Sequence, residues 1–268
     1  MKTGILITAR LGSTRLAKKH LLAVAGKPII HYLLCRINRA FNREINDGDV
    51  EVIISSSDEP ENREFEIFNP LGIMTFYGAV NNIPYRHLQT ADSRFLDSII
   101  AIDGDDILCS VEGMRRVYDH LLSGKHYVKT SGLPFGMNSF GYSVHYLRKS
   151  VQKHVNRKLE TGWGRIFNQD EVIDIPFDGH KSPINYRFTL DYELDYVFFR
   201  AIIEYFGDKV YEATDREIID HVEKNNLQEI NRSISDQYWK NVNNEIDREE
   251  THRIKEMPAI PLKGALYE

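Results

Sequence analysis

A cluster of residues that could bind an anion occupies positions 9–20, directly after an apolar run. It combines a glycine, two hydroxyl residues and several cations, namely Gly12, Ser13, Thr14, Arg10, Arg15 and Lys19. A triphosphate needs several convergent donors, which backbone amides, hydroxyls and cationic side chains together can supply. The spacing matches neither a Walker A motif nor a dinucleotide-binding glycine motif. We therefore predict a phosphate-binding loop of another kind, the alternative being a solvated basic face.

The distribution of charge supports a local anion site. The 268-residue chain has a formal net charge of −5, yet residues 1–43 contain nine Lys or Arg residues and no Asp or Glu. The net negative charge argues against a general nucleic-acid-binding protein. A basic leading segment in an acidic protein favours a small polyanion as the ligand.

A candidate metal site follows the apolar run at residues 98–102, where Asp103, Asp105 and Asp106 come close together. Carboxylate oxygens are ligands that Mg²⁺ prefers, and Mg²⁺ usually shares substrate phosphates. The same three acids would also suit a plain turn. We expect Asp106 to be solvated or to lead the next helix.

A second candidate metal ligand is Asp191, which lies between a predicted strand at 187–190 and a predicted helix at 193–205. An aspartate at that junction could also serve only as the N-cap of the helix. The local sequence therefore predicts either a metal carboxylate or a capping residue.

The elements that must position these residues alternate between strands and helices. Strands are predicted at 4–9, 50–54, 73–77 and 98–102. One helix is predicted at 28–40, a second from about residue 84 onward, and a third from an N-cap at Ser110 to residue 122. Residues 55–58 are predicted to cap a helix. Such alternation predicts a mostly parallel, doubly wound sheet, in which ligands bind beyond the carboxyl ends of the strands.

The second half of the chain is less regular. Extended segments are predicted at 127–130, 138–144, 172–175 and 187–190, and helices at 193–205, 215–224 and 235–253. Without an internal repeat or an obvious linker, we predict a single α/β domain over residues 1–255 and a loose tail over 256–268.

Residues 9–28 resemble the signature of the CMP-sugar cytidylyltransferases, a family that includes the 3-deoxy-manno-octulosonate, acylneuraminate and spore-coat polysaccharide types. The family string A-R-x-x-S-T-R-L-P-G-K is matched at Ala9, Arg10, Ser13, Thr14, Arg15, Leu16 and Lys19. Ala17 and Lys18 stand where the family usually has Pro-Gly. The run from Ala25 to Pro28 also matches the A-G-K-P opening of the first helix in the family.

The resemblance extends to both acidic segments. It implies that Asp105 and Asp191 hold Mg²⁺, that Asp103 lies nearer the nucleotide, and that Arg10, Lys19 and Asp105 are catalytic. It also implies nucleotide contacts at Ser57, Gly78 and Arg86, in addition to the loop residues already named.

Two loops are predicted to contact the acceptor. Gly136 and Asn138 lie in a loop that resembles the acceptor-side loop of the spore-coat type, and Glu160 and Arg165 lie in a second compact loop with an aromatic residue, two glycines and opposite charges. Arg165 could bind an anionic acceptor or form a surface salt bridge. Trp163 could stack on a ligand or lie in the core. The histidines, including His154 and His180, show no metal-like spacing, and we expect them to take no part.

The resemblance implies a three-layer α/β fold of the nucleotide-diphospho-sugar transferase type with a mostly parallel mixed sheet, and a homodimer. The implied reaction transfers CMP from CTP to a small-molecule acceptor, such as a sugar acid, and releases pyrophosphate. The preference for cytosine rests on the resemblance alone, and the acceptor stays open. Two alternatives are a glycosyltransferase that uses Asp103-Gly104-Asp105 as a D-x-D metal motif, and a non-catalytic nucleotide-binding module.

Composition indicates an ordinary intracellular protein. Cys35 and Cys109 are far apart and have apolar neighbours, which indicates reduced core thiols in the cytoplasm. No apolar stretch approaches the ~18 residues of a membrane span, and the leading segment lacks the pattern of a signal peptide.

Overall fold

The computed structural model of the protein describes residues 1–177 and 186–256. The strands are β1 (Thr3–Thr8), β2 (Ala23–Val24), β3 (Lys27–Pro28), β4 (Val50–Ser57), β5 (Met74–Gly78), β6 (Ser98–Asp103), β7 (Tyr127–Ser131), β8 (Phe140–Ser143) and β9 (Ile173–Pro176). The α-helices are α1 (Ile29–Ala40), α2 (Asn42–Asn46), α3 (Ile83–Arg94), α4 (Val111–Leu122), α5 (Val144–Val151), α6 (Glu193–Phe206), α7 (Asp215–Lys224) and α8 (Ser235–Glu256).

The main sheet of the described residues has seven strands in the order β5-β4-β1-β6-β8-β7-β9. In this sheet β8 is antiparallel to both of its neighbours, whereas the other strand pairs are parallel. Thr8 at the end of β1 lies level with Ser55 in β4 and Asp103 in β6. The loop after β1 and the acids after β6 therefore meet at one edge of the sheet, and the predicted mostly parallel mixed sheet is confirmed.

The alternation of side chains along β1 explains the three layers. Ile5 and Ile7 are fully buried against α1 and α4 on one face, while Leu6 packs with α3 and α5 on the other. Because successive strand residues point to opposite faces, a strand that is apolar throughout must be covered on both sides. The predicted three-layer α/β arrangement is confirmed.

A third apolar cluster is built mainly from α6 and α7, and it carries the segment that leads to Asp191. Phe188 and Leu190 are fully buried in this cluster. Because these two residues are anchored, the directions of the side chains of Thr189, which lies between them, and of Asp191, which follows, are fixed. The backbone N–H of Leu190 donates to the carbonyl of Asp105 at 2.9 Å. The two acidic segments are therefore joined through the backbone.

Several predicted elements differ from the structure. Ser55, Ser56 and Ser57 lie inside β4 and cap no helix, because hydrogen bonding to β1 and β5 extends the strand. Residues 187–190 form no strand but only an isolated bridge between Phe135 and Arg187. The helix α5 was not predicted; Ser143 caps it by accepting from the backbone N–H of Tyr146. Asparagine and serine caps also begin α3 and α4, and the predicted cap at Ser110 is confirmed.

The family-like run at residues 25–28 is a hairpin turn rather than the opening of a helix. Ala25 and Gly26 both have positive φ angles, of 46° and 77°, and connect the short antiparallel strands β2 and β3. The helix α1 begins only after Pro28, which is its N-cap. Helix α8 ends at Glu256, so the predicted tail lies almost wholly outside the described residues.

In the described parts of the chain, no helix combines the length and the apolar character that a membrane span requires.

Candidate active site

The loop after β1 is anchored at its base by buried polar side chains. Ser56 Oγ donates to the carbonyl of Ala9 at 2.8 Å, and the backbone N–H of Leu11 donates to Asn62 Oδ1 at 2.8 Å. Asn62 is fully buried and also donates to Ser57. These bonds fix the start of the loop while Gly12 and Thr14 stay exposed and Ser13 half-exposed. Nothing in the sequence motif indicated Asn62, which lies in the separate 3₁₀ segment Pro60–Leu71.

The loop turns back into the protein at Lys18. Lys18 adopts the left-handed region, with φ 47° and ψ 35°, just before the 3₁₀ turn Lys19–Leu21. The family usually has glycine at this place, and glycine reaches that region without steric cost. The departure at Lys18 therefore keeps the turn but places a residue with a side chain in it.

Lys19 joins the two predicted metal carboxylates. Its Nζ donates to Asp105 Oδ2 at 2.6 Å and to Asp191 Oδ1 at 3.1 Å. Lys19 is only 5% exposed and Asp191 only 2%. Residues separated by 86 and 172 positions along the chain thus meet at one buried point. The structure brings together the cation predicted to bind phosphate and the two acids predicted to bind metal.

Two further side chains complete this cluster. Arg15 Nη2 donates to Asp191 Oδ1 at 2.6 Å, and His20 Nε2 lies 2.8 Å from Asp105 Oδ1. The expectation that the histidines take no part is wrong for His20, whose only sequence signal was its position next to Lys19. His180 lies outside the described residues.

The environment of Asp105 favours its charged form. Burial would raise the pKa of Asp105, but the charge of Lys19 and the contact with His20 outweigh burial and hold the pKa well below its ordinary value. A carboxylate that stays charged is suited to a metal or to a cationic partner.

The environments of Asp103 and Asp106 raise the pKa of each carboxyl group. Burial raises the pKa of Asp103, and the negative charge of Asp105 raises it further. Burial, Asp103 and Asp105 likewise raise the pKa of Asp106, whose side chain bonds to Thr189. The expectation that Asp106 is solvated or leads a helix is therefore wrong: it is half-buried, and the next helix begins only at Val111. Crowding of like charges at the end of β6 therefore makes Asp105 the most acidic of the three carboxyl groups.

Asp191 is also held by Arg187 and Asp195, a pair of residues here called the clasp. Arg187 Nη2 donates to Asp191 Oδ2 at 2.8 Å, and Arg187 Nε donates to Asp195 Oδ1 at 3.0 Å. Asp195 also accepts from the backbone N–H groups of Asp191 and Tyr192 at the start of α6. Tyr192, not Asp191, is the N-cap of this helix. The capping alternative for Asp191 is therefore wrong, and its carboxylate is turned toward Lys19.

The other predicted nucleotide contacts lie on the β4–β5 side of the same edge. Ser57 is buried and donates to Glu59. Gly78 packs closely against α3, since a Cβ there would lie 2.7 Å from Gln89 Oε1 and 3.2 Å from Arg86 Cγ. The roles of Ser57 and Gly78 in nucleotide binding stay predictions.

Arg86 is a buried cation that lacks a matched acid. It is 2% exposed, donates to the carbonyl of Ala79, and forms no ion pair within 4.0 Å with any residue in the described ranges. Burial and, to a smaller extent, the nearby charge of Arg10 lower the pKa of Arg86 to about 10. Two neighbouring cations at the mouth of the loop favour an anionic ligand.

The second predicted acceptor loop contacts the predicted phosphate-binding loop at residues 9–20, here called the phosphate loop. Glu160 accepts from both terminal nitrogens of Arg10, at 3.1 and 3.2 Å. Arg165 forms ion pairs with Glu249 and Glu250, the salt-bridge alternative. Trp163 is 5% exposed and packs among aromatic rings, which confirms the core alternative.

A cavity of about 270 Å³ lies beside the first predicted acceptor loop. Its lining residues are Tyr127, Lys129, Thr130, Asn138, Ser139, Phe140, Gly164 and Gln169. Lys129 pairs with Phe140 across the sheet, and Phe140 pairs with Ala101, two residues before Asp103. Asn138 thus lines a cavity near the carboxyl edge. Gly136, with φ 90°, lies against Phe188, where a Cβ would be 2.2 Å from the carbonyl oxygen.

The carboxylates at this edge of the sheet are candidate ligands for a divalent cation. No group of three or more His, Cys, Asp or Glu residues with metal-binding geometry occurs among residues 1–177 and 186–256. Asp105 and Asp191 provide two carboxylates that already share one cationic partner. Two carboxylates fit Mg²⁺, which commonly keeps water and substrate phosphates as its other ligands.

The family profile described as Cytidylyltransferase matches residues 4–174, which is more than half of the chain. The chain belongs to this family. The protein is therefore a CTP-dependent nucleotidyltransferase, and neither the glycosyltransferase nor the non-catalytic alternative is favoured.

Similar proteins agree with this assignment. The chain is 25% identical over 203 residues to a 3-deoxy-manno-octulosonate cytidylyltransferase of Desulfatibacillum aliphaticivorans, covering 72% of this chain and 76% of the relative. It is 25% identical over 253 residues to an uncharacterized protein of Methanocaldococcus jannaschii, covering 90% and 99%. A solved cytidylyltransferase structure from Leptospira borgpetersenii has 25% sequence identity and a TM-score of 0.69, covering 85% of this chain and 96% of that one.

Proposed function

We propose that the protein transfers CMP from CTP to a small-molecule acceptor and releases pyrophosphate. The observation that carries the proposal is the contact of Lys19 with both Asp105 and Asp191 at the carboxyl edge of the sheet. A phosphate-binding cation next to two carboxylates provides both halves of a nucleoside triphosphate–metal site.

In the proposed reaction, an acceptor oxygen attacks the α-phosphorus of CTP. A bond forms between that oxygen and phosphorus, and the proton of the acceptor hydroxyl passes to water. The bond from the α-phosphorus to the oxygen that bridges it to the β-phosphorus breaks, and pyrophosphate leaves with the electron pair. Arg10, Arg15 and Lys19 bind the triphosphate, together with amides and hydroxyls from Gly12 to Thr14. These groups act by positioning and by charge neutralisation, which supply most of the catalysis in phosphoryl-type transfers.

Asp105 and Asp191 would hold Mg²⁺, which when bound would neutralise charge on the phosphates. Both carboxylates contact Lys19, so its ammonium lies where the triphosphate and the metal site would meet. Arg187 and Asp195 keep Asp191 in place, because their bonds to it are buried and do not involve the phosphate loop.

We place the acceptor in the cavity lined by Lys129, Thr130 and Asn138. Lys129 is half-buried there, and its ammonium suits an acceptor with an anionic group, such as a sugar acid or a phosphosugar. The relative from Desulfatibacillum aliphaticivorans is named for a sugar acid of this kind. The family resemblance also implies a homodimer in the cytoplasm, which sedimentation velocity and cell fractionation would test.

Pyrophosphate release should be measured with Mg²⁺, each of the four common ribonucleoside triphosphates, and a panel of sugar acids, phosphosugars and neutral sugars. Phosphorus NMR of the product identifies the new phosphoester. We expect turnover with CTP and with an anionic acceptor. Turnover with UTP alone would refute the cytidine specificity, and transfer of a sugar from a nucleotide-sugar would refute the reaction itself.

The substitution Asp105→Asn should lower kcat by at least about 100-fold, because it removes a charged group that acts on the reacting phosphates. The circular dichroism spectrum should be unchanged. Asp47→Asn, at an exposed acid paired with Arg43, is the matched control and should retain activity. Full Mg²⁺-dependent activity of the Asp105 variant would remove that residue from the site.

A further inference from the structure

Helix α8 contacts both sides of the candidate active site, although it lies outside the residues matched by the family profile. In its first half, the centroid of the Tyr238 ring lies 4.1 Å from Cζ of Arg187, and Asn241 donates to the hydroxyl of Tyr192 at 2.9 Å. These contacts are on the side of Asp191. The second half of α8 contacts the loop at residues 157–165, on the side of the phosphate loop.

Glu249 makes the main contact of α8 with that loop. Its Oε1 accepts from the backbone N–H groups of Glu160 and Thr161, at 3.3 and 3.2 Å. Its Oε2 accepts from Arg165 Nη2 at 2.6 Å. The side chain of Glu249 is only 2% exposed. Three donors to one buried carboxylate make a set of charge-assisted bonds, which are stronger than neutral ones.

The backbone of the loop lies directly against the helix. Gly162 has a φ of 55°, and a Cβ there would lie 3.1 Å from Cδ1 of Ile246. Glu250 adds ion pairs with Arg157 and Arg165. The conformation of the loop therefore depends on α8.

The loop in turn reaches the phosphate loop through Glu160. The side chain of Glu160 is 15% exposed, and its carboxylate binds the guanidinium of Arg10 through two parallel hydrogen bonds. Glu249 thus binds the backbone of the residue that orients Arg10.

We propose that Glu249 is a positioning residue for nucleotide binding: it fixes Glu160 so that Glu160 holds Arg10 at the mouth of the site, ready for the triphosphate. A preoriented cation loses less conformational entropy when the ligand binds. The inference rests on the proposed reaction with CTP.

The test compares Glu249→Ala and Glu249→Gln with Glu245→Ala, a change at an exposed acid of α8 that pairs only locally with Arg248 in the described residues. We expect Glu249→Ala to raise KM for CTP about five- to tenfold, as for the loss of a charge-assisted hydrogen bond, with kcat changed less than about twofold. Glu249→Gln keeps an oxygen acceptor for the two backbone donors and should restore part of the affinity. Glu245→Ala should match the wild type.

Two further measurements identify the route. Tryptic cleavage after the exposed Lys158 should be faster in Glu249→Ala, because the loop is less restrained. In a Glu160→Gln background, Glu249→Ala should add no further change in KM, since its effect passes through Glu160. An unchanged KM, an equal loss of kcat, or additive effects of the two substitutions would overturn the proposal. If the wild type does not use CTP, the proposed function fails, and the cleavage rate alone then decides whether Glu249 fixes the loop.

Discussion

At the scale of residues, the contacts of Lys19, Asp105 and Asp191 could be predicted because all three belong to recognisable family strings. The contacts of His20, Asn62 and Arg187 could not be predicted. The partners of His20 and Asn62 lie 85 and 51 positions away, and Arg187 is aligned with Asp191 only by the burial of its own segment. The prediction for Asp106 is wrong because the sequence shows neither its burial nor its contact with the distant Thr189.

Lys18 offers a test of the phosphate loop at this scale. A residue with a Cβ costs about 1 kcal/mol in the left-handed region, and glycine does not. We expect Lys18→Gly to have a free energy of unfolding about 0.5–1 kcal/mol higher than that of Lys18→Ala, measured by urea denaturation.

The alanine variant is the reference because it also removes the exposed ion pair of Lys18 with Glu64 but keeps the Cβ. Equal stability of the two variants would show that the φ of Lys18 carries no strain.

At the scale of elements, the strands and helices of the first half followed from apolar periodicity. The end of β4 did not follow from this periodicity, because three consecutive serines, considered in isolation, predict a helix cap. In the sheet, Ser56 bonds to Ala9 and Ser55 to Thr90, so all three serines stay in the strand. Segment 187–190 has the composition of a strand but finds only one bridging partner, and burial of Phe188 and Leu190 determines its path instead.

Ser110 joins two helix starts, those of α4 and α7. Its Oγ accepts from the backbone N–H of Gly113 at 2.7 Å and donates to the carboxylate of Asp215, the first residue of α7. Ser110→Ala should lower the free energy of unfolding by about 2–3 kcal/mol, the sum of a lost cap and a lost donor to a buried carboxylate. Chemical denaturation measures the change.

Ser123→Ala, at the exposed C-terminal end of α4, is the matched control and should change stability by less than about 0.5 kcal/mol. A cost at Ser110 no larger than at Ser123 would contradict the assigned role.

At the scale of the whole molecule, His87 on α3 links strands at the centre of the sheet. Its Nε2 lies 2.8 Å from Thr8 Oγ1 in β1, and its Nδ1 lies 2.7 Å from the hydroxyl of Tyr142 in β8. Burial and, to a smaller extent, the charge of Arg86 lower the pKa of His87 to about 3, from a value of 6.5 for an ordinary histidine. Between about pH 3 and pH 6.5, His87 is therefore protonated in the unfolded chain but neutral in the folded chain.

It follows that the stability contributed by neutral His87 is fully present above pH 6.5 and is lost as pH falls from 6.5 toward 3. The slope is at most about 1.4 kcal/mol per pH unit from this one group. We expect His87→Gln, although less stable at pH 7, to show a shallower loss of stability between pH 6 and pH 4.5 in urea titrations.

His145→Gln, at an exposed histidine on α5, controls for the removal of one imidazole and should keep the wild-type slope. An unchanged slope in the His87 variant would mean that the folded protein tolerates a charge at this position.

The bond between Lys19 and Asp191 has a consequence for biosynthesis. Chains emerge from the ribosome from the N-terminus, at about 5–20 residues per second. The parallel strands β1, β4, β5 and β6 can pair before residue 191 exists, so Lys19 first meets Asp105 alone. Asp191 is then held by Arg187 and Asp195, and Asn231 locks that clasp by donating to Asp195 and to the carbonyl of Arg187. Until Asn231 has been synthesised, the strands that carry the loop after β1 can already pair, but the bonds that hold Asp191 next to Lys19 are incomplete.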